Sequence, residues 1–345
     1  MDTSVLVIYT GGTIGMKQSA NTGALVPFDF SEIEREVPEL KKFKYRLDTH
    51  SFQKPIDSSD IQPEFWANIA KVIKDNYDLY DGFVILHGTD TMSYSATALS
   101  FMLENLSKPV IFTGSQLPID AVRTDGKENI LSAIEIAATQ HNGKPVVPEV
   151  CIFFEDKLFR GNRTTKHSAE NFNAFRSHNY PELATSGIEI KYNLPAILKP
   201  KSNKVLKIHT KMDTSVISLK IFPGINCDFI DNILNIKGLR GIIIETFGSG
   251  NAPTNEKFLS KFRAAIDKGL IVLNISQCQV GSVEMERYET GILLKKTGVI
   301  CGKDMTFEAA ITKLSFLLAN NEGVDEIKAN LQKSLRGEIS EKFFP

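Results

Sequence analysis

Threonine hydroxyls, carboxylates and lysines gather in four short polar segments: "TGGTIGM" from Thr10, "GTDTM" from Gly88, "GSQ" from Gly114 and "EDKLFRGNRTTK" from Glu155. They offer Thr10, Thr13, Thr89, Thr91, Ser115, Asp90 and Lys166. A threonine hydroxyl becomes a nucleophile when a neighbouring group removes its proton, and a desolvated lysine can take that proton. A carboxylate at the start of a helix stays ionised and can face a ligand's ammonium. Each residue also has a plainer reading. Asp90 and Thr91 sit where a helix cap is expected. A lysine in a polar loop is ordinarily solvated. His87 reads as a structural histidine at a strand end.

The glycines Gly11, Gly12 and Gly15 let backbone approach a ligand. They do not match G-x-G-x-x-G, because Thr13 stands at the second glycine, and no G-K-[ST] follows, so the nucleotide reading is weak.

Each polar segment follows an apolar run. The runs are "SVLVIY", "GFVILH", "PVIFTG" and "EVCIFF", then "GIIIETF" and "LIVLNIS" later in the chain. Runs this apolar suit strands covered on both faces, as in a parallel sheet. Helical spacing falls between them, over 63–75, 92–105, 127–139 and 255–268, with Gly269 as a C′ residue, and again near 306–319 and 324–334. Strands alternating with helices predict an α/β fold: a larger N-terminal domain with a mostly parallel sheet, plus a smaller C-terminal α/β domain. The expected boundaries are 1–195, a linker over 196–215, and 216–345, with an irregular hairpin within the Pro- and Asn-rich stretch near 180–195. Ligands of open α/β sheets bind beyond the C-terminal strand ends, where the polar segments lie.

Composition narrows the class. The 345 residues are 42% hydrophobic and 23% charged with a net charge of −1, which gives no pull toward nucleic acid or an anionic membrane. No apolar window reaches membrane-spanning length, and the N-terminus lacks the pattern of a signal peptide. Cys151, Cys227, Cys278 and Cys301 are scattered and lie in or beside apolar stretches, which predicts buried free thiols. No H-x-x-x-H pair occurs. Together these point to a reduced, cytoplasmic protein without a metal.

"YTGGTIGM", "HGTDTM", "TGSQ" and "RGNRTTK", in this order, resemble the bacterial-type L-asparaginase family, most closely its cytoplasmic type I branch. The likeness runs nearly the whole chain, through "GSGNAP" and "CGKDMTFEAAITKL". It implies hydrolysis of the side-chain amide of L-asparagine, with no metal or organic cofactor. It also implies a homodimer or homotetramer in which a neighbouring subunit completes each site. Thr13 matches the family's nucleophile, and Thr89, Asp90 and Lys166 match its second threonine–lysine–aspartate group. Asp57, Ser58 and Ser59 match the loop holding the substrate's α-groups, Ser115 matches a pocket-lining position, and Asn251 a residue lent by the partner.

Two departures stand out. The family's flap usually carries a tyrosine, but none occurs from Gly15 to Phe30; Ala24 or Leu25 is nearest that position. The family's effector cleft, matched by Thr165, Ser276 and Cys278, uses a basic side chain where this chain has Glu245. Three other readings compete: a glutaminase-asparaginase, a non-catalytic amino-acid-binding protein on the same fold, and the asparaginase-like subunit of a transfer-RNA amidotransferase. The last carries an extra N-terminal module, whereas T-G-G-T begins here at residue 10.

Overall fold

The structure is a computed structural model that describes residues 3–18, 25–27, 33–200, 204–321 and 323–340. Two compact units emerge: Met1–Ser177 with Pro181–Thr210, and His178–Tyr180 with Lys211–Pro345.

The larger unit is built on an eight-stranded sheet. Its strands are β1 (Ser4–Tyr9), β2 (Arg46–Ser51), β3 (Gly82–Leu86), β4 (Val110–Thr113), β5 (Val150–Phe154), β6 (Lys157–Arg160), β7 (Ala184–Ser186) and β8 (Ile190–Tyr192). Their spatial order is β2-β1-β3-β4-β5-β6-β7-β8. The pairings from β2 through β5 are parallel, and those from β5 to β8 are antiparallel. β1, β3, β4 and β5 are buried along their whole length, which is why they read as unbroken apolar runs. The helices are α1 (Pro63–Asp75), α2 (Met92–Met102) and α3 (Gly126–Ala138). α1 buries one stripe, Ala67, Ile69, Ala70 and Ile73. From β1 the chain runs outward to β2, then returns to the other side of β1 to form β3. That reversal opens a crevice at the C-terminal ends of β1 and β3.

α2 stops three residues short of the expected end, because Leu103–Glu104 instead pair with Lys207–Ile208. The expected linker over 196–215 is likewise anchored in its first part. Arg160 donates to the Ala196 carbonyl at 2.8 Å, and the Leu198 N–H donates to Glu149 at 2.8 Å. The stretch up to Thr210 therefore belongs to the larger unit.

The smaller unit carries a four-stranded parallel sheet: β9 (Val216–Lys220), β10 (Gly241–Thr246), β11 (Ile271–Ser276) and β12 (Ile300–Cys301). Ile242, Ile244 and Val272 pack there with Phe258 and Phe262 of the helix Glu256–Asp267. Asn179, from the earlier three-residue stretch, is stitched into this unit. Its Oδ1 accepts from the Gly281 N–H at 2.8 Å, and its Nδ2 donates to the carbonyls of Gln279 at 3.4 Å and Asp304 at 3.3 Å.

The four cysteines are free, as expected, but only Cys151 is fully buried. Cys278 is exposed, because "QCQVG" forms a surface turn after β11 rather than part of the apolar run before it. No helix among the described residues is long and apolar enough to cross a membrane.

Candidate active site

Three loops meet at the crevice. At the end of β1, the Thr10 N–H and Oγ1–H both donate to the Leu86 carbonyl, at 3.0 and 2.9 Å, and the Thr10 carbonyl accepts from Ile56 at 2.9 Å. Thr10 is buried and its hydroxyl is committed, so it fastens β1 to β3 rather than reacting. Gly12 follows at φ 88°. A Cβ there would lie 2.5 Å from the Gly88 Cα, and one on Gly88 would lie 2.6 Å from the Ser58 Oγ. The backbones of T-G-G-T and H-G-T-D-T, and the first serine of D-S-S-D, thus touch with no room for a methyl group. This contact is the physical reason for glycine at both positions.

Thr13 opens a single 3-10 turn, Thr13–Gly15, and is half-buried. Its hydroxyl has no hydrogen-bond partner among the described residues. Beneath the turn lies Tyr9, whose hydroxyl donates to the Gly15 carbonyl at 3.2 Å. Burial pushes the Tyr9 phenol up to about 12, so it stays protonated and acts as a pin. The flap position is only partly visible. Ala24 lies outside the described residues, and Leu25 begins a short strand paired with Met16–Gln18.

Thr89, Asp90 and Lys166 come together. Lys166 Nζ donates to Thr89 Oγ1 at 2.9 Å and to Asp90 Oδ1 at 2.7 Å. Lys166 is 18% exposed and Asp90 67%. Lys166 is therefore neither a solvated surface lysine nor an unpaired desolvated one: its nitrogen is paired with Asp90 and has the Thr89 hydroxyl in reach. The helix-cap reading holds for Thr91 in position only, since it is the N-cap residue. α2 begins at Met92, and Thr91 makes no side-chain cap; its hydroxyl donates to the Ser58 carbonyl at 2.6 Å, tying the second loop to the third.

The segment expected to be a polar loop before Lys166 is mostly interior. Asn162, Arg163 and Thr164 are all buried. Gly161–Arg163 form a 3-10 turn, and Thr164 Oγ1 donates back to the Arg160 carbonyl at 2.7 Å. Thr165–Lys166 then pair with Phe175–Arg176 as a two-residue ladder. Arg160 anchors this run through an ion pair with Glu149 at 2.6 Å, both side chains buried.

In the third loop, Asp57 caps the turn Ser58–Asp60. Its Oδ1 accepts from the Ser59 N–H and Oγ–H, both at 2.8 Å, and those bonds hold its carboxyl below the usual range. Asp57 is therefore an anion. Ser58 is buried against Gly88.

Ser115 is buried, and its hydroxyl is turned back onto the Leu117 carbonyl at 2.5 Å. The side chain that reaches Thr89 is the next one, Gln116: Thr89 Oγ1–H donates to its Oε1 at 3.1 Å. Gln116 ends the segment "TGSQ", where its amide gives no signal beside the hydroxyls. Asp125 fixes that loop by accepting from the N–H groups of Gln116 and Leu117 at 3.0–3.2 Å.

His87, at the end of β3, is fully buried. Its Nδ1 lies 2.6 Å from the Gly88 carbonyl and its Nε2 lies 2.8 Å from Ser95 Oγ, which also accepts from Trp66 Nε1 at 2.8 Å. Burial drives the imidazole down to about 4, so it is neutral and holds the Gly88 carbonyl in place.

The remaining expected residues lie elsewhere. Asn251 is in the smaller unit, and its Oδ1 accepts from Thr290 at 2.6 Å. Thr165 belongs to the larger unit, whereas Glu245, Ser276 and Cys278 belong to the smaller. Glu245 pairs with Ile275 in register, beside Ser276, and its carboxylate has no ion pair among the described residues. Ser276 Oγ donates to the Gly248 carbonyl at 2.6 Å and accepts from the Cys278 N–H at 2.9 Å.

Family models account for most of the chain. "Asparaginase, N-terminal" matches residues 4–198, and "Glutaminase/Asparaginase C-terminal domain" matches 215–331. The chain belongs to the asparaginase family. Among relatives, it is 43% identical to L-asparaginase 1 of Escherichia coli K12, over 98% of each chain. It is also 40% identical to a human 60 kDa lysophospholipase, over 97% of this chain but 61% of that one. The crystal structure of L-asparaginase I from Vibrio cholerae superimposes with a TM-score of 0.90 at 41% identity, covering 99% of this chain and 100% of that one. The α/β fold expected from the alternation of strands and helices is observed, and it is the asparaginase fold that the motifs resemble.

Proposed function

We propose that this asparaginase-family enzyme hydrolyses the side-chain amide of L-asparagine to L-aspartate and ammonia, with Thr13 as nucleophile and Thr89, Lys166 and Asp90 as its relay. The observation that carries the reading is the contact set Lys166–Thr89–Asp90 on a loop whose Gly88 touches Gly12, the residue before Thr13, whose hydroxyl has no partner among the described residues.

Thr13 Oγ1 attacks the carboxamide carbon as its proton passes to Thr89 Oγ1, whose own proton passes on to the Lys166 nitrogen, which must hold a free electron pair at that moment. Collapse of the tetrahedral intermediate expels the amine, which takes up the proton and departs as ammonia. Water then cleaves the threonyl ester by the same route in reverse. Positioned proton carriers of this kind contribute roughly 10²–10⁴-fold. Because His87 holds the Gly88 carbonyl, the trans peptide directs the Thr89 N–H the opposite way, available to a developing oxyanion. Asp90 gives one carboxylate oxygen to Lys166 and keeps the other for the substrate ammonium, with the Asp57 anion as a second acidic partner. Ser58 and Ser59 take the α-carboxylate once the Ser59 hydroxyl turns off Asp57. Ser115 shapes the pocket wall through its loop.

The same reading makes the protein a cytoplasmic homodimer or homotetramer, with Asn251 lent to a neighbouring site. It requires no cofactor, nucleic acid or membrane. At the effector cleft, the carboxylate of Glu245 repels the carboxylate of an asparagine, so no activation by substrate arises through Thr165, Ser276 and Cys278. Ammonia release from asparagine, glutamine and buffer alone tests the substrate. Thr13→Ala is expected to abolish release while asparagine still binds by calorimetry; wild-type-like release from this variant removes Thr13 as nucleophile.

A further inference from the structure

Thr91 occupies the N-cap of α2, yet its side chain does nothing for the helix. An N-cap threonine ordinarily turns its oxygen onto an N–H of the first turn. No such bond forms here; the hydroxyl donates instead to the Ser58 carbonyl at 2.6 Å. The helix starts without it. The Thr91 carbonyl accepts from the Ser95 N–H at 3.0 Å, and Ser95 Oγ is held by His87 and Trp66. Among the described residues, Thr91–Ser58 is the one hydrogen bond between the G-T-D-T and D-S-S-D loops. It grips the peptide between Ser58 and Ser59 at one end. That peptide's N–H, which a trans bond points the opposite way, donates to Asp57 Oδ1 at 2.8 Å. Asp57 and Thr91 are thus joined through one rigid plane, and Asp90 is the residue before Thr91. Ser58 is 3% exposed, so a carbonyl stripped of this donor has little water to turn to. It would keep only a long bond from the Ile61 N–H, at 3.4 Å.

We propose that Thr91 is a positioning residue for substrate binding: it fixes the Asp57 carboxylate relative to Asp90, so that both meet the ammonium of one amino-acid substrate. The proposal rests on the reading of those two carboxylates as the ammonium's partners. Both side chains are exposed carboxylates, which repel rather than gather, so an outside joint must set their separation. The substrate ammonium carries the same charge in the ground state and the transition state, so the hold on it is expressed in KM rather than kcat. Lys166 keeps its own bonds to Thr89 and Asp90, so the chemical step is retained.

The test compares wild type, Thr91→Val, Thr91→Ala and Thr91→Ser, with thermal melts of each. Aspartate formation from L-asparagine gives kcat and KM. Succinamate, which is asparagine without its α-amino group, is added as a competitor to give Ki. Thr91→Val keeps the branched shape without the donor; Thr91→Ser keeps the donor. Thr91→Val is expected to raise KM about tenfold or more, with kcat and the succinamate Ki each within about twofold of wild type. Thr91→Ser is expected to hold KM within about threefold. Should Thr91→Val melt far below wild type, Thr91→Ala takes its place against Thr91→Ser, with the same split expected. A merely structural role would weaken both ligands alike. The proposal is overturned if the donorless variant keeps its KM, if the loss falls on kcat, if succinamate weakens as much as asparagine, or if Thr91→Ser falls as far. A wild type that forms no aspartate overturns the assigned activity and this proposal with it. A wild type that holds asparagine no more tightly than succinamate overturns the assignment of the two carboxylates, and the proposal falls too. Clear discrimination in wild type alongside an indifferent Thr91→Val overturns only the role of Thr91.

Discussion

His87 makes the stability of the larger unit depend on pH in a way that can be isolated. The unfolded chain protonates this ring near 6.5, the folded chain only near 4. Between these values the unfolded state binds the extra proton, so stability is intact above about 6.5 and is lost as pH falls toward 4. The full gap corresponds to about 3 kcal/mol, of which about 2 kcal/mol is already gone by about pH 5. The ring is fully buried, so solvent screening does not reduce this. His87→Asn keeps an N–H for the Gly88 carbonyl but cannot titrate. The cavity it leaves lowers stability at every pH; the readout is therefore the slope, not the level. Trp66 is the only tryptophan and joins His87 through Ser95, so its fluorescence reports unfolding of this region. Urea titrations at about pH 7.5 and about pH 5 should show wild type losing about 2 kcal/mol more than His87→Asn between the two. Equal losses in the two proteins would falsify the assignment of a buried neutral imidazole.

Gly12→Ala places a methyl group 2.5 Å from the Gly88 backbone at a positive φ, so the two loops must part; kcat/KM should drop by about 10²-fold or more, and a wild-type value would show that the contact is not needed. Lys166→Met should lower kcat far more than it raises KM, whereas Asp90→Asn should also raise KM strongly by weakening the hold on the substrate ammonium. Matching kinetic profiles for these two variants would show that their roles have been divided wrongly.

The parallel sheet was legible because β1, β3, β4 and β5 are covered on both faces, and such strands must be apolar throughout. The helices between them were legible from their spacing, and the site from the polar residues that follow each run. Contacts between loops far apart in sequence were not legible. Nothing in "TGGT" tells that Gly12 packs on Gly88, because a glycine's reason lies in what would collide with a Cβ. Nor does "RGNRTTK" look interior: a burial argument assigns arginine and asparagine to the surface unless their buried partners are known, as Glu149 is for Arg160. Gln116 is silent in the sequence for a related reason. Its side chain meets one donor, the Thr89 hydroxyl, and one acceptor, the Asn171 carbonyl, which only the fold brings within 3.2 Å.

The stitch at Asn179 has a consequence for the order in which the protein is made. Residues 178–180 leave the ribosome before any of 211–345, yet their partners Gln279, Gly281 and Asp304 come about a hundred residues later. The hairpin of β7 and β8, which follows immediately, can close on the larger unit as soon as it emerges. The three residues between must wait as an open bow, pinned at both ends by a folded sheet, until the smaller unit arrives to claim them. Cutting the chain at the junction near residue 211 therefore does not yield two whole halves: one fragment keeps a loop without its mate, and the other keeps the Gln279–Gly281 turn with an unfilled notch.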